Sequence, residues 1–148
     1  MGELRLQPGA FNVVPGRAQV SLECRSLEPS RLDALERALL ERARREASAE
    51  GLALEVEAVG RWEPVPLNAS VRVAIGRAAS SLQLGAVELP SGAGHDAQAL
   101  AAVTPSGMIF VPSVGGVSHH PAEQTAWQDC VNGANVLLGA ALDLAGAG

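Results

Sequence analysis

Apolar and polar side chains alternate along two short segments in the first part of the chain, residues 17–25 and residues 52–59. Alternation with a period of two predicts strands that bury one face and leave the other in solvent. Between them, a stripe at helical spacing predicts a helix with Pro29 in its first turn, Ser30 as its N-cap and an end near Gly51. The stripe consists of Leu32, Leu35, Leu39 and Ala43. A half-polar strand, a helix and a second half-polar strand predict a small α+β layer.

The second part of the chain carries longer apolar segments with other periods. Asn68 is predicted to cap a helix that runs to about Leu84, and further helices are predicted over 96–103 and 129–144. Residues 86–89 are predicted to form a short strand. The apolar run 107–112 does not alternate, which is typical of a strand buried on both faces. Helices that alternate with such strands predict an α/β fold with a mostly parallel sheet.

The distribution of charged residues marks a boundary between two parts of the chain. Residues 1–66 hold nine arginines and eleven acidic residues, whereas residues 67–148 hold two arginines and five acidic residues. The change falls in the proline-rich segment that begins at Trp62, so we divide the chain into residues 1–62 and 63–148. The net charge of −5, without a basic stripe, argues against nucleic acid as a partner.

Cysteines and apolar runs give little further information on function. Cys24 and Cys130 lie far apart and form no metal-binding or redox spacing, so we expect two reduced core thiols. No basic start is followed by an apolar run, and no apolar stretch reaches 18 residues. The sequence therefore predicts neither a signal peptide nor a membrane span, and a cytoplasmic location.

Two loops in the second part hold all three histidines. His95 follows a glycine-rich turn where a predicted strand end meets a helix start, a place where ligands bind in open α/β sheets. Backbone N–H groups of such a turn, which includes Gly94, can approach a substrate closely. His119 lies on a second glycine-rich loop, four residues before Glu123, and suits a metal ligand. The alternatives are a turn in which Asp96 caps the helix, and a solvent-exposed histidine pair.

Two polar residues of the first part are further candidates. Arg25 lies on the polar face of its strand, and its guanidinium fork suits bidentate binding of a carboxylate. Asn12 precedes a Val-Val-Pro-Gly turn. The alternatives are a solvated arginine and an ordinary turn residue. The sequence shows no persuasive Ser/His/Asp triad, no reactive Cys–His pair and no P-loop.

Five segments, in this order, resemble one family. They are NVVPGR at 12–17, LECRS at 22–26, SGAGHDA at 91–97, MIFVPS at 108–113 and GVSHHPAE at 116–123. Together they look like the C-terminal portion of N-carbamoyl-L-amino-acid hydrolases, with allantoate amidohydrolase and β-ureidopropionase as near relatives within a zinc-peptidase superfamily. The resemblance implies that residues 1–62 are part of a lid, or dimerisation, domain. Residues 63–148 would be the C-terminal part of a metal-binding catalytic domain with a mostly parallel sheet.

The resemblance also implies roles for individual residues. His119 corresponds to a ligand of one of two divalent metal ions, which could be zinc, manganese or cobalt. His95 corresponds to a catalytic and substrate-binding histidine that helps to stabilise an oxyanion, and Gly94 belongs to the same substrate-binding loop. Asn12 and Arg25 correspond to residues that hold the substrate carboxylate. The expected partners are a small carboxylate substrate and a second copy of the chain, bound through the lid, with neither nucleic acid nor membrane involved.

The sequence departs from the family pattern in its missing motifs. The other metal ligands and the glutamate base that activates the attacking water are expected upstream of residue 1. We therefore expect a C-terminal fragment of an amidohydrolase that cleaves linear C–N bonds of N-carbamoyl or ureido amino acids, inactive by itself. The alternative is a non-catalytic truncated paralogue that serves as a carboxylate-binding or dimerisation module. His120 stands where the family has a smaller polar residue.

Overall fold

The computed structural model describes residues 2–146, and the chain divides into two units, Met1–Pro64 and Val65–Gly148. The first unit contains a hairpin of strands β1 (Leu4–Gln7) and β2 (Arg17–Val20), followed by helix α1 (Pro29–Ala49). The second unit is helical, and its elements are α2 (Ala69–Ser81), α3 (Asp96–Leu100), a 3₁₀ turn (Val114–Gly116) and α4 (Trp127–Leu144).

Strands β1 and β2 pair antiparallel, in a register that sets Leu4 opposite Val20 and Gln7 opposite Arg17. At the loop end, the Gly16 N–H donates to the Gln7 carbonyl over 2.9 Å and closes the hairpin. The predicted strand over 17–25 is confirmed for its first half only. Ser21 still exchanges backbone hydrogen bonds with Gly2 and Glu3, each of 3.0 Å, but residues 22–25 have no ladder partner among the described residues. The pairing of a strand is not encoded in its own alternation.

Helix α1 begins with Pro29 at its first position, where the missing N–H costs nothing. Ser30 was predicted as the N-cap, but the N-cap is Glu28 and Ser30 lies within the first turn. The helix ends at Ala49, close to the predicted end near Gly51, which takes φ +66° while the Leu52 N–H donates to the Ala47 carbonyl over 2.8 Å. That is the hydrogen-bond pattern of a Schellman C-cap, for which glycine is favoured.

Arg61 joins the end of the first unit to helix α1. Its guanidinium contacts Asp33 at 2.6 Å, Glu36 at 2.7 Å and Glu63 at 2.7 Å. Hydrogen bonds to Glu63 and Asp33 raise the Arg61 pKa above its usual value.

Residues 52–59 were predicted to form a strand. They form no ladder with any described residue, so this prediction is wrong.

Helices α2 and α4 form the core of the second unit. As predicted, Asn68 caps α2, because its Oδ1 accepts from the Ser70 N–H at 2.9 Å and the Val71 N–H at 3.2 Å. The helices approach closely through small residues, since a Cβ on Gly139 would lie 3.1 Å from the Ala78 Cβ. The buried side chains are those of Ala74, Ala78, Ala79, Val136 and Ala140.

Every second residue of the apolar run 107–112 packs against these two helices. A Cβ on Gly107 would lie 2.5 Å from Val71 Cγ1, and Ile109 packs against the core cluster. Val111 reaches α4, where a Cβ on Gly133 would lie 2.6 Å from its Cγ1. The opposite face is open, and Phe110 is 55% exposed. The run is therefore covered on one face and not on both, which corrects the prediction.

The predicted mostly parallel sheet is not formed by residues 2–146, whose only ladder is the antiparallel β1–β2 pair. Residues 86–89 are likewise not a strand; Glu88 instead forms an ion pair with Arg72 of α2. A sheet requires neighbouring strands, and the described residues supply none for these segments. Of the four α-helices, none in this described range combines the length and apolar character that a membrane crossing requires.

The close approach of residue 107 to α2 gives a test of this packing. We expect Gly107→Ala to lower the free energy of unfolding by about 1–3 kcal/mol, because the new methyl group overpacks the contact with Val71. Gly76→Ala is the control, since nothing lies within 4 Å of its added Cβ and alanine favours the helix by roughly 0.5–1 kcal/mol. Urea unfolding measures both; equal stabilities of Gly107→Ala and the wild type would contradict this packing.

Candidate functional site

The ring of His95 is held by the turn that precedes helix α3. Its Nε2 lies 2.8 Å from the Oγ of Ser91, which also accepts a hydrogen bond from the Ala93 N–H at 3.2 Å. The His95 N–H donates to Gln98 Oε1 at 3.2 Å. His95 is thus itself the N-cap residue, and the alternative in which Asp96 caps the helix is wrong because Asp96 is the first helical residue. The turn both starts the helix and orients the imidazole.

Phe110 contacts the same imidazole from the apolar run. The two ring centroids lie 5.5 Å apart with an interplanar angle of 63°, an edge-to-face arrangement. Gly107, Ile109 and Val111 face helices α2 and α4, whereas Phe110, between them in sequence, meets His95. The core of the second unit therefore sets the position of the ring through this run.

Ser91 and Phe110 were not identified from the sequence as site residues. Ser91 stands four residues before His95 in the SGAGHDA segment, but its reach to the ring depends on the path of an irregular turn. Phe110 is fifteen positions from His95, and the run 107–112 is apolar throughout, so the sequence does not indicate which of its residues face away from the helices.

Gly94 lies in the same turn, directly before His95. It is exposed, and a Cβ added there would meet Gln98 Oε1 only at 3.6 Å, an ordinary contact. Its backbone is not among the positive-φ positions of residues 2–146. Neither packing nor backbone conformation within the turn therefore requires glycine at this position. The Gly94 backbone is exposed, so a molecule can approach it.

His119 lies on a loop that is closed at its base. The Val114 N–H donates to the Gln124 carbonyl over 2.7 Å, and the Ser113 hydroxyl donates to the Val117 carbonyl. His119 is exposed and has φ +55°, and its N–H donates to Glu123 Oε2 at 2.7 Å. The loop thus presents the imidazole to solvent while Glu123 fixes the backbone beneath it.

The donors of this loop do not form a metal site by themselves. No three His, Cys, Asp or Glu side chains within residues 2–146 are grouped so that they could hold a metal ion. One oxygen of Glu123 is bound to the His119 N–H, and Nδ1 of His120 accepts the Ala122 N–H at 3.1 Å. The residues present therefore do not fit a complete one- or two-metal centre, which needs at least three converging ligands.

Arg25 is engaged by a carboxylate within its own segment. Its Nε donates to Glu23 Oε1 at 2.7 Å and its Nη2 donates to Glu23 Oε2 at 3.1 Å. These hydrogen bonds lower the pKa of Glu23 and raise the pKa of Arg25. The guanidinium fork thus already has the two-point geometry that a carboxylate ligand requires. Asn12 lies in the loop between β1 and β2 and is exposed.

The candidate residues fall into the two units of the chain. Asn12 and Arg25 belong to the first unit, and His95 and His119 belong to the second. Within the second unit, the ring contacts of His95 are with Ser91 and Phe110, whereas His119 contacts Glu123.

Comparison with known proteins identifies the family. The profile of peptidase family M20/M25/M40 matches residues 3–143, so the chain belongs to this family. It is 39% identical over 137 residues to the N-carbamoyl-L-amino acid amidohydrolase of Geobacillus stearothermophilus, which covers 93% of this chain and 34% of that protein. It is 32% identical to the allantoate amidohydrolase of Escherichia coli, covering 92% of this chain and 33% of that protein.

A solved structure shows the same fold. The crystal structure of an amidase of the hydantoinase/carbamoylase family from Burkholderia multivorans aligns with a TM-score of 0.85 and 33% identity, covering 96% of this chain and 34% of that one. The predicted resemblance to N-carbamoyl-L-amino-acid hydrolases is thereby confirmed. The chain spans about a third of the length of the relatives it matches.

The Glu23–Arg25 pair makes a prediction about titration. We expect Arg25→Ala to raise the Glu23 pKa toward its ordinary value of 4.5, because the hydrogen bonds that lower it are lost. Because the Glu23 pKa is lowered in the folded chain, the pair stabilises the fold at pH values above the ordinary pKa of Glu23. This stabilisation is lost as the pH falls through the lowered pKa. Side-chain carbonyl NMR shifts of Glu23 measure this change. Arg17→Ala is the control, and a Glu23 titration unchanged by Arg25→Ala would contradict the pairing.

Proposed function

We propose that this chain supplies the substrate-holding part of a metal-dependent amidohydrolase that cleaves linear C–N bonds of N-carbamoyl or ureido amino acids. Relatives that match nearly all of the chain are named for such substrates. The observation that carries the proposal is the fixed imidazole of His95, bound by Ser91 and packed by Phe110 beside the open backbone at Gly94. An imidazole held in this way does not have to reorient in order to stabilise the negative charge that develops on the substrate in the transition state.

Arg25, together with Asn12, is proposed to hold the substrate carboxylate. The two hydrogen bonds from the Arg25 guanidinium to Glu23 have the geometry that a substrate carboxylate would take over. Both side chains of this pair are exposed, with 60% and 67% of their surface accessible. An exposed pair is weak, so exchange of one carboxylate for another costs little.

His95 is proposed to bind the substrate oxygen on which negative charge develops when water attacks the carbamoyl or amide carbon. A hydrogen bond to that oxygen strengthens as the charge grows, and therefore lowers the barrier more than it strengthens substrate binding. The half-buried position of the ring reduces competition from solvent.

His119 is proposed as the metal ligand that this chain contributes. Divalent ions, when bound, would supply an activated water and a Lewis acid. The described residues do not complete a metal site, and we propose that the other ligands and the general base come from sequence beyond these residues. We further propose that the protein acts in the cytoplasm, and that a dimer forms through the first unit.

A chimera tests the catalytic proposal. Residues 3–143 would replace the matching third of the Geobacillus enzyme, and hydrolysis of N-carbamoylglycine and of allantoate would be followed. We expect Arg25→Ala to raise KM by up to about 5-fold, since an ion pair at an exposed arginine contributes roughly 0.2–1 kcal/mol. We expect His95→Ala to lower kcat by about 100-fold or more, as loss of an oxyanion donor does.

Arg17→Ala is the matched control for the chimera. Arg17 is exposed and its guanidinium lies 3.7 Å from Glu55, so its loss should leave both kinetic constants unchanged. Circular dichroism of each variant establishes that the chimera is folded. A chimera in which the Arg25, His95 and Arg17 variants all hydrolyse these substrates equally well would refute the assignment.

A second candidate, a carboxylate-binding module without catalysis, is favoured by the bidentate Arg25 geometry alone. For this function the 148-residue chain should bind N-carbamoylglycine in the absence of metal, and Arg25→Ala should abolish binding. NMR titration measures the affinity, and light scattering measures the oligomeric state. Binding without turnover, by the isolated chain and by the chimera, would replace the catalytic proposal with this one.

A further inference from the structure

The backbone of His119 takes a conformation that a histidine does not adopt by preference. Its φ of +55° lies in the left-handed region, which is unfavourable for a residue with a Cβ. A conformation of this kind persists only where the surrounding structure fixes it. The His119 N–H donates to Glu123 Oε2 over 2.7 Å, so the position of Glu123 bears directly on this backbone.

A β-turn brings Glu123 back toward His119. The Glu123 N–H donates to the His120 carbonyl over 2.9 Å, which closes a four-residue turn over 120–123. Pro121 stands at the second position of the turn, where its fixed φ is favoured. Ala122, at the third position, is not among the positive-φ residues of the described range, so the turn is not of type II. The reversal of the chain lets the Glu123 side chain reach the N–H of residue 119.

The imidazole of His120 closes the same turn a second time. Its Nδ1 accepts the Ala122 N–H over 3.1 Å. A backbone N–H can only donate, so Nδ1 of the neutral ring is the unprotonated nitrogen and Nε2 carries the proton. An Asx-turn has the same arrangement, in which a side-chain acceptor binds the N–H two residues further on. His120 therefore contributes two acceptors to the turn, its carbonyl oxygen and its ring nitrogen.

We propose that His120 is a positioning residue for His119. Its ring holds the Ala122 N–H, the closed turn places Glu123, and Glu123 holds the left-handed backbone of His119. The direction in which the His119 imidazole leaves the chain thus depends on the ring of the next residue. The bearing on catalysis rests on the proposed function of His119, whereas the turn itself is a property of the 148-residue chain.

Two substitutions separate the acceptor of His120 from its ring. H120F keeps an aromatic ring but has no acceptor, whereas H120N loses the ring and keeps an acceptor that can bind the N–H two residues further on. H120F should speed hydrogen exchange of the Ala122 amide by roughly 2- to 12-fold, the factor that corresponds to one hydrogen bond. H120N should leave the exchange rate close to that of the wild type.

NMR of the isolated chain measures the consequence at His119 without substrate or metal. A positive φ brings the N–H and the Hα of a residue close together, so the wild type should show a strong nuclear Overhauser effect between these two protons of His119. H120F should weaken this effect, and H120N should retain it. Q124A is the matched control, since the hydrogen bonds of residue 124 in this loop go through its carbonyl, which the substitution keeps.

Two results would overturn the positioning role. One is an unchanged His119 backbone in folded H120F, or the same change in Q124A. The other is a nitrogen-15 spectrum of the wild type, at a pH where the rings are neutral, that places the ring proton of His120 on Nδ1. The chain has three histidines, and comparison with H120F assigns the signals of residue 120. The wild-type spectrum decides even if H120F failed to fold.

The chimera extends the test to activity. H120F should lower kcat about 10-fold, the lower end of what is lost with a group that orients a ligand residue. H120N should restore kcat, and Q124A should leave it unchanged. If H120F changes the His119 backbone but not kcat, the positioning role stands and the proposed role of His119 fails. If H120F changes neither, the positioning role itself fails, so the two failures are distinguishable.

Discussion

The packing of helix α2 on helix α4 through small side chains is the contact on which the second unit depends. Gly139 lies so close to Ala78 that even a methyl group added there would come within 3.1 Å of the Ala78 Cβ, closer than an ordinary contact. Because the helices approach so closely, the run 107–112 can lie across both, anchored through Gly107 and Val111. That placement brings Phe110 to the imidazole of His95. A candidate catalytic group is therefore positioned by alanine and glycine contacts far from it in sequence.

The helices were predictable from the sequence, whereas of the predicted strands only the first half of 17–25 was confirmed. The cap at Asn68, the glycine stop at Gly51 and the last helix all follow from local chemistry, which a single segment contains. A strand exists only when a neighbour pairs with it, and neighbours are distant in sequence. The segments 52–59 and 107–112 have the composition of strands but no pairing partner among the described residues.

The candidate site shows the same division between local and long-range information. His95 and His119 were found because their loops have a distinctive composition, and the family match agrees with the motifs in which they lie. What holds them could not be predicted. The contact of Ser91 with the ring depends on turn geometry, and the contact with Phe110 spans fifteen residues. The pairing of Arg25 with Glu23 is consistent with both interpretations made from the sequence, an arginine exposed to solvent and an arginine that binds a carboxylate.

The backbone of His119 has a consequence for the choice of side chain at that position. Its φ of +55° lies in the left-handed region, where a residue with a Cβ is strained by roughly 1–2 kcal/mol and glycine is not. The backbone N–H is satisfied by Glu123, which would bind it equally well if residue 119 were glycine. The backbone conformation at this position thus disfavours a histidine, and the hydrogen bond to Glu123 does not depend on the side chain. Only the chemistry of the exposed ring itself gives a reason for histidine there.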